Sequence, residues 1–247
     1  MRKEKRSICC VVLAAGNGVR FGGDKLSAVL EGRTLLERAL DAVPAGEFDS
    51  VAVVTRSGEM ADIQCLVKRH GFTLLVNPRP EQGISGSLRI GLRAFVEPNS
   101  VAVTKSASEP CPAVGNNSII DRTSSCRCDA VLFQTADQPL LRQETVRGLV
   151  SLWRANPGKI AALAHDGIRG NPCVFPARFF PELLNLSGDR GGSAVIRRHQ
   201  ADLILLETPP EELLDADTPE ALEQIRQILE GRNHRQEQPT AGSICPS

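Results

Sequence analysis

The sequence predicts an α/β fold in three layers, a mostly parallel central sheet with helices on both faces. Three observations carry this expectation. Short, β-branched, uninterrupted apolar runs recur along the chain, as in strands buried on both faces. Between them lie segments whose apolar residues follow helical spacing, so strands and helices alternate as in parallel crossover units. The length of 247 residues and the hydrophobic content of 41% suit one sizeable α/β domain.

Taken in order, Ile8 to Ala15 is the first expected strand. Thr34-Leu-Leu-Glu37 has the S/T-x-x-E spacing of a capping box, and Leu35, Leu36, Ala39, Leu40 and Val43 continue on one helical face, so a helix starts there. Val51 to Thr55 and Phe72 to Val76 are the next two strands, and a helix from about Ser87 to Phe95 follows the loop Gly83-Ile-Ser-Gly-Ser87. From about Glu97 to Arg127 the chain is crowded with Ser, Thr, Asn, Pro, Cys and Gly, where an α/β unit needs only a short connection. Residues 99 to 128 are therefore expected to form an inserted, mobile loop. Ala130 to Thr135 is the fourth strand, with a helix from about Glu144 to Arg154 after it. Lys159 to Ala164 and Leu203 to Glu207 are later strands, and Pro219 to Leu229 is the last helix. One domain over residues 1 to 231 and a flexible, polar tail over 232 to 247 follow from this reading, and no internal repeat is found.

Lys plus Arg and Asp plus Glu both number 29, so the balance of charge gives no general attraction to nucleic acid or to an anionic membrane. No apolar run approaches the ~20 residues that cross a bilayer, and Met1-Arg-Lys-Glu-Lys-Arg6 leads into a strand without a small-residue cleavage site. A cytoplasmic protein is expected. The eight cysteines lack the regular framework of a small secreted domain. Cys9, Cys10 and Cys173 sit in apolar runs and are expected to be buried thiols. Cys126-Arg-Cys128 with Cys111 lacks the paired spacing of a zinc site.

The loop leaving the first strand, Leu13-Ala-Ala-Gly-Asn-Gly-Val-Arg-Phe-Gly-Gly-Asp-Lys25, lies at the carboxyl edge of a parallel sheet, where open α/β folds bind ligands. Gly16, Gly18, Gly22 and Gly23 let consecutive backbone N–H groups face a phosphate chain, and Arg20 and Lys25 supply fixed positive charge. The dinucleotide fingerprint G-x-G-x-x-G fails at Phe21, which argues against a dehydrogenase. The triphosphatase loop fails because Asp24-Lys25-Leu26 stands where Gly-Lys-Ser/Thr is needed. A glycine-rich turn serving packing alone is the remaining alternative, and the convergence of glycines, Arg and Lys after a first strand weighs against it.

The fourth strand ends in Gln134-Thr-Ala-Asp137-Gln-Pro139, which puts a carboxylate at the same sheet edge. Asp137 is the leading candidate ligand for Mg²⁺, a hard ion bound by one or two carboxylates together with substrate phosphates. Its alternative role is to cap the turn that follows.

The combination L-A-A-G-x-G-x-R-F-G-x-x-K resembles the nucleotide-binding signature of the MobA-like nucleotidyltransferases, in particular the molybdenum cofactor cytidylyltransferases. The resemblance implies a Rossmann-like nucleotidyltransferase fold whose glycine loop, through Leu13, Ala14, Ala15, Gly16 and Gly18, wraps a nucleoside triphosphate that Arg20 and Lys25 contact. Ala15 favours the cytidylyltransferase branch, and so CTP, over the guanylyltransferase branch. Ala136-Asp-Gln-Pro-Leu140 resembles the family's metal motif. Leu214-Asp-Ala-Asp-Thr-Pro-Glu220 resembles its later D-x-D-T-P-E motif, which implies Asp217 as the second metal ligand, with Asp215 the weaker alternative to it. Asp217 in an Asp-Thr-Pro-Glu start can equally cap the helix after it.

Asn77-Pro78 and Gly83-Ile-Ser-Gly-Ser-Leu88 resemble the N-P…G-x-x-x-S-L motif that lies against the nucleobase and sugar, which carries over to Asn77, Gly83 and Ser87. Here an ordinary serine N-cap is the alternative. Arg169-Gly-Asn-Pro172 and Gly188-Asp-Arg-Gly191 resemble segments on the acceptor side of the cleft, implying that Asn171, Asp189 and Gly191 contact a molybdopterin-type acceptor, though both stretches also read as plain turns. His165 and His199 have no spaced ligand partners and read as packing or surface residues.

The similarity runs in order from Ile8 to about Leu229 except for the insert. It departs at Ser27, where Leu is usual, and at Asn171, where His is common. It implies Mg²⁺-dependent transfer of CMP from CTP to the phosphate of molybdopterin, with a molybdenum hydroxylase apoenzyme as the client. The acceptor phosphate is already anionic, so no general base is required and catalysis is positioning and charge neutralisation. Two alternatives stand beside this. One is a GTP-dependent or sugar-phosphate transferase of the same fold, and the other is a nucleotide-binding accessory protein without turnover.

Overall fold

A computed structural model of the chain describes residues 6–16, 21, 25–56, 60–97 and 128–236. The first strand, β1 (Ile8–Ala14), leads through the glycine loop to a small hairpin, β2 (Val29–Leu30) and β3 (Arg33–Thr34), and then to α1 (Leu35–Asp41). β4 (Ser50–Arg56), α2 (Met60–Arg69), β5 (Thr73–Asn77) and α3 (Ile84–Val96) follow. After the insert come β6 (Ala130–Thr135), α4 (Gln143–Ala155), β7 (Ile160–His165), β8 (Ile168–Pro176), α5 (Phe180–Leu184), α6 (Ser193–Arg198), β9 (Leu203–Glu207) and α7 (Pro219–Gln236). All six strands expected from the sequence are present, with ends shifted by a residue or so. The expected tail begins inside α7, and its remainder and the insert up to 127 lie outside the described residues.

Seven strands form one sheet in the order β5-β4-β1-β6-β8-β7-β9. The four strands β5, β4, β1 and β6 are mutually parallel, as are β7 and β9, while β8 runs antiparallel to both of its neighbours. The chain leaves β1 for β4 and β5 on one side and then returns to β6 on the other. The carboxyl ends of β1 and β6 therefore flank a topological switch point, the position at which open α/β sheets form a ligand crevice.

Successive residues of β1 point to opposite faces. Ile8, Cys10, Val12 and Ala14 pack with Leu36, Ala39 and Leu40 of α1, Val67 of α2, and Val146, Leu149 and Trp153 of α4. Cys9 and Val11 pack on the other face with Leu88, Leu92 and Phe95 of α3, Leu183 of α5 and Val195 of α6. Both faces are thus covered, which is why the strand reads as a continuous apolar run. Gly91 lets α3 lie close on the sheet, since a Cβ there would collide with the Val11 side chain. Cys9, Cys10 and Cys173 are buried, as expected, and burial pushes the Cys10 thiol far up. Cys128 is buried too and its thiol donates to the Ala130 carbonyl, while Cys111 and Cys126 lie outside the described residues. A third cluster joins Leu30, Leu35, Leu140 and Ala216 to Leu222, Ile225 and Leu229 of α7, which fastens that helix beside the β2–β3 hairpin.

Thr34 caps α1 as the sequence predicts, its hydroxyl accepting from Glu37 N–H at 3.1 Å. Two elements differ from expectation. α3 starts three residues before Ser87, with Gly83 at its N-cap. Residues read as a turn around Arg169 to Pro172 lie in β8, which follows β7 through the two-residue turn Asp166-Gly167, φ 50° and 72°. Both values are left-handed, the geometry of the tight hairpin turn that Asp-Gly favours. Among the described residues no helix is long and apolar enough to cross a membrane.

Candidate functional site

Three segments far apart in sequence meet at the switch point. The Ala136 N–H donates to the Leu13 carbonyl at 3.1 Å, which ties the end of β1 to the loop after β6. The Ala216 N–H donates to the Asp137 carbonyl at 2.8 Å, which ties that loop to the segment before α7. Lys25, on a short 3-10 turn after the glycine loop, reaches into the junction. Its ammonium donates to Asp137 Oδ2 at 2.9 Å and to Asp217 Oδ1 at 2.7 Å, and its side chain is only 12% exposed. Burial alone would lower the Lys25 pKa, but the Asp137 and Asp217 carboxylates overcome it and hold it above the ordinary value.

Asp217 is not the cap of α7. Thr218 fills that place, its hydroxyl accepting from the Ala221 N–H at 3.2 Å, and Asp217 is turned to Lys25 instead. Asp137 likewise caps nothing: Oδ2 is bound to Lys25, and Oδ1 is buried without a partner among the described residues. Asp215 stands two residues from Asp217 across the inward-facing Ala216. Asp215 is exposed at its surface, but partial desolvation of its carboxyl and the neighbouring carboxylates of Asp137 and Asp217 push it up from 3.8 to about 6, against a hydrogen bond from Gln138 and the charge of Lys25. The unfolded chain releases this proton first, so the native state loses stability as pH rises from about 4 to about 6, and the deficit is complete above that. Asp215→Asn is therefore expected to raise the melting temperature of the metal-free protein at pH 7 and to leave it unchanged near pH 3.5. An equal gain at both values would contradict this.

The donors fit a hard divalent ion. Two carboxylates, one with a spare buried oxygen, now share a cation in the form of the Lys25 ammonium. Among the described residues no group of three His, Cys, Asp or Glu side chains is gathered so as to cage a metal. An ion here would lean on Asp137, Asp217 and the oxygens of a substrate, the mode Mg²⁺ commonly uses.

On the opposite face, β5 ends at Asn77 and α3 begins after Gly83. Asn77 is buried; its Nδ2 donates to Ser87 Oγ at 2.9 Å and its Oδ1 accepts from the Arg79 N–H at 3.0 Å. Ser87 is thus inside the first turn of α3 and is not its cap. Together the two residues clamp the start of the helix to the end of the strand. Gly83 has φ 90°, and a Cβ on it would collide with the Asp189 carboxylate and the Gly188 backbone. The Ser85 N–H donates to the Gly188 carbonyl at 3.3 Å. The glycine turn at 83 and the Gly188–Gly191 loop are therefore seated on one another, 106 residues apart in sequence, and Asp189 and Gly191 border this junction.

Asn171 lies on β8 next to a peptide bond that is cis at Pro172, and the Cys173 thiol is 3.8 Å from its Oδ1. Ala14 and Ala15 are buried at the end of β1, and Gly16 opens to free space. Gly18, Arg20, Gly22 and Gly23 lie outside the described residues. His165 and His199 serve structure: His199 pairs with Glu182 at 2.7 Å and His165 with the Thr208 carbonyl at 3.1 Å. Two polar groups near the site have no counterpart among the residues singled out from sequence. The Ser85 hydroxyl is buried without a partner among the described residues, and the Arg169 guanidinium has a serine and a thiol for company. The i, i+2 spacing of Asp215 and Asp217 signals that both face one side of an extended segment.

Residues 10–203 match the family model described as MobA-like NTP transferase domain. The purine catabolism protein PucB of Bacillus subtilis (strain 168) is 26% identical over 228 residues, covering 89% of this chain and 96% of that protein. Among solved structures, Rv0371c of Mycobacterium tuberculosis H37Rv superposes with a TM-score of 0.66 at 22% identity, covering 90% of this chain and 98% of that one. Its complex with manganese gives 0.61 at 20%, with the same coverage. A nucleotidyl transferase from Methanothermobacter thermautotrophicus, Mth528, gives 0.67 at 21%, covering 93% of this chain and 100% of that one. These structures share the fold. With the family model spanning most of the sheet and of the site, the chain belongs to the MobA-like NTP transferase family and is a nucleotidyltransferase.

Proposed function

We propose that the protein transfers CMP from CTP to the phosphate of a molybdopterin-type acceptor and releases pyrophosphate, with Mg²⁺ as the metal. The observation that carries this reading is the Lys25 ammonium held between Asp137 and Asp217 at the switch point of the sheet, beside the end of the glycine loop. Fixed positive charge and hard oxygen donors meet there, which is what a triphosphate with its metal requires. Ala15 at the turn of the loop favours CTP over GTP.

In this scheme an anionic oxygen of the acceptor phosphate attacks the α-phosphorus of CTP. A new P–O bond forms, the α–β bridging bond breaks, and its electron pair leaves with pyrophosphate, so no proton needs to move. Asp137 and Asp217 are the residues that would hold the metal, which would supply Lewis-acid neutralisation of phosphate charge. Lys25 and Arg20 stabilise the charge that the leaving pyrophosphate gains. Gly83, held open by the packing of the 188–191 loop, and the Asn77–Ser87 clamp shape the nucleoside side. Asn171, Asp189 and Gly191 lie toward the acceptor, and a molybdenum hydroxylase apoenzyme is the proposed recipient of the product.

A panel tests the assignment: purified protein with Mg²⁺, each of CTP, GTP, UTP and ATP, and molybdopterin or its molybdenum form. Pyrophosphate from CTP alone is expected. Equal release from every triphosphate, or release only when a sugar phosphate is supplied, would overturn the substrate assignment.

A further inference from the structure

Arg169 lacks the carboxylate partner that several other arginines have among the described residues. Arg142, Arg154, Arg178 and Arg198 each meet a carboxylate. The Arg169 guanidinium is part-buried, donates to Ser193 Oγ at 2.8 Å and lies 3.7 Å from Cys173 Sγ, and it has no carboxylate partner among the described residues. Burial pushes the Cys173 thiol up against the pull of Arg169, so that thiol is no counter-ion. A guanidinium is permanently charged and presents five donors in a planar fork. A hydroxyl and a neutral thiol leave its charge without a counter-ion among the described residues, and a bound anion would supply one.

The fold places this charge at the reacting edge. β8 runs antiparallel to β6 with Cys173 opposite Phe133, so residues before Cys173 lie toward the same edge as those after Phe133, the edge of Asp137. The pairing of β7 with β8 shifts between Ala162 and Ala164, opposite the stretch from Arg169 to Cys173. Such irregularities re-aim side chains next to sites. Cys173 belongs to the core face under α3, α5 and α6, and Ser193 begins α6 just after the Gly188–Gly191 loop. Arg169 therefore lies between the start of β8 and the loop that packs on Gly83.

We infer that Arg169 is the anion receptor of the acceptor subsite, binding the acceptor's phosphate monoester through the donors that Ser193 leaves free. The inference rests on the reading that the acceptor is phosphorylated. It assigns acceptor affinity to a residue separate from Lys25, Asp137 and Asp217, and it makes Ser193 the residue that orients the fork.

The test combines kinetics with a direct probe. With molybdopterin as acceptor, Arg169→Gln is expected to raise the acceptor KM by about 10- to 100-fold, the worth of a charge-assisted hydrogen bond, and to leave the KM and Kd of CTP unchanged. Arg169→Lys, which keeps the charge without the fork, is expected to fall between the two, and it carries the test if glutamine disturbs the fold. Separately, inorganic phosphate is titrated into nucleotide-free protein while the Arg169 Nε–H resonance is followed in ¹⁵N spectra, assigned by its loss in the variant; that resonance is expected to shift. An unchanged acceptor KM in both variants, with normal turnover, overturns the inference and leaves the proposed function standing. A phosphate-induced shift in a protein that consumes no molybdopterin supports the anion receptor and overturns the acceptor assignment. An Arg169 resonance unmoved by phosphate overturns the inference.

Discussion

Asp137→Ala is expected to lower kcat/KM for pyrophosphate release by about 10³-fold or more. The side chain sits at the end of β6 at the switch point, gives one oxygen to Lys25 and keeps the other buried and unpartnered. Loss of it removes half of the carboxylate pair and leaves Lys25 with Asp217 alone. The backbone link survives, because the Asp137 carbonyl, which accepts from the Ala216 N–H at 2.8 Å, is retained in alanine. The variant should therefore fold and keep its circular dichroism while failing in turnover. Near-normal rates in a folded Asp137→Ala protein would remove the metal assignment.

Lys25→Met is expected to cost about 10²–10³-fold in turnover and also to change how the protein responds to metal. In the free protein the Lys25 ammonium is the only cation shown between Asp137 and Asp217 among the described residues. Methionine fills the volume but leaves two carboxylates facing one another, which costs about 1–2 kcal/mol after discounting for the 48% exposure of Asp217. A divalent ion can take over the neutralising role. Mg²⁺ should therefore raise the melting temperature of Lys25→Met more than that of wild type, and Mn²⁺ should bind the nucleotide-free variant more tightly by electron paramagnetic resonance. Equal increments in the two proteins would show that Lys25 does not compete with a cation at this place.

The parallel half of the sheet was legible because each of its strands is buried on both faces and so reads as an unbroken apolar run. Asp137 was legible for a related reason: it follows such a run directly, with Pro139 closing it. Local capping rules left two residues open that only tertiary contacts decide. Ser87 had the chemistry of an N-cap, but Gly83 takes that place and Asn77 claims the serine. Asp217 stood in a good cap sequence, but Thr218 caps α7 and Lys25, 192 residues away, holds the aspartate.

Gly and Pro punctuate the stretch around Arg169, which offers a plain turn as the alternative to an acceptor-side segment. The turn lies earlier, at Asp166-Gly167, and the tight-hairpin signal of that dipeptide was present in the sequence. Without that hairpin the antiparallel β8 is invisible, and with it the placement of Arg169 and Asn171 toward the sheet edge that carries Asp137. The seat of Gly83 on Asp189 has no local signature at all, since it joins loops after β5 and before α6.

The most direct test of nucleotidyl transfer at the Lys25–Asp137–Asp217 centre follows the fate of the α-phosphate. CTP labelled at the α-phosphorus is incubated with Mg²⁺, the protein and molybdopterin, and the label is tracked as pyrophosphate is counted. Transfer of the α-label to the acceptor with one pyrophosphate per label, lost in Asp137→Ala, is the predicted result. Label that stays on free CMP or CDP, or transfer that persists in Asp137→Ala, would contradict it.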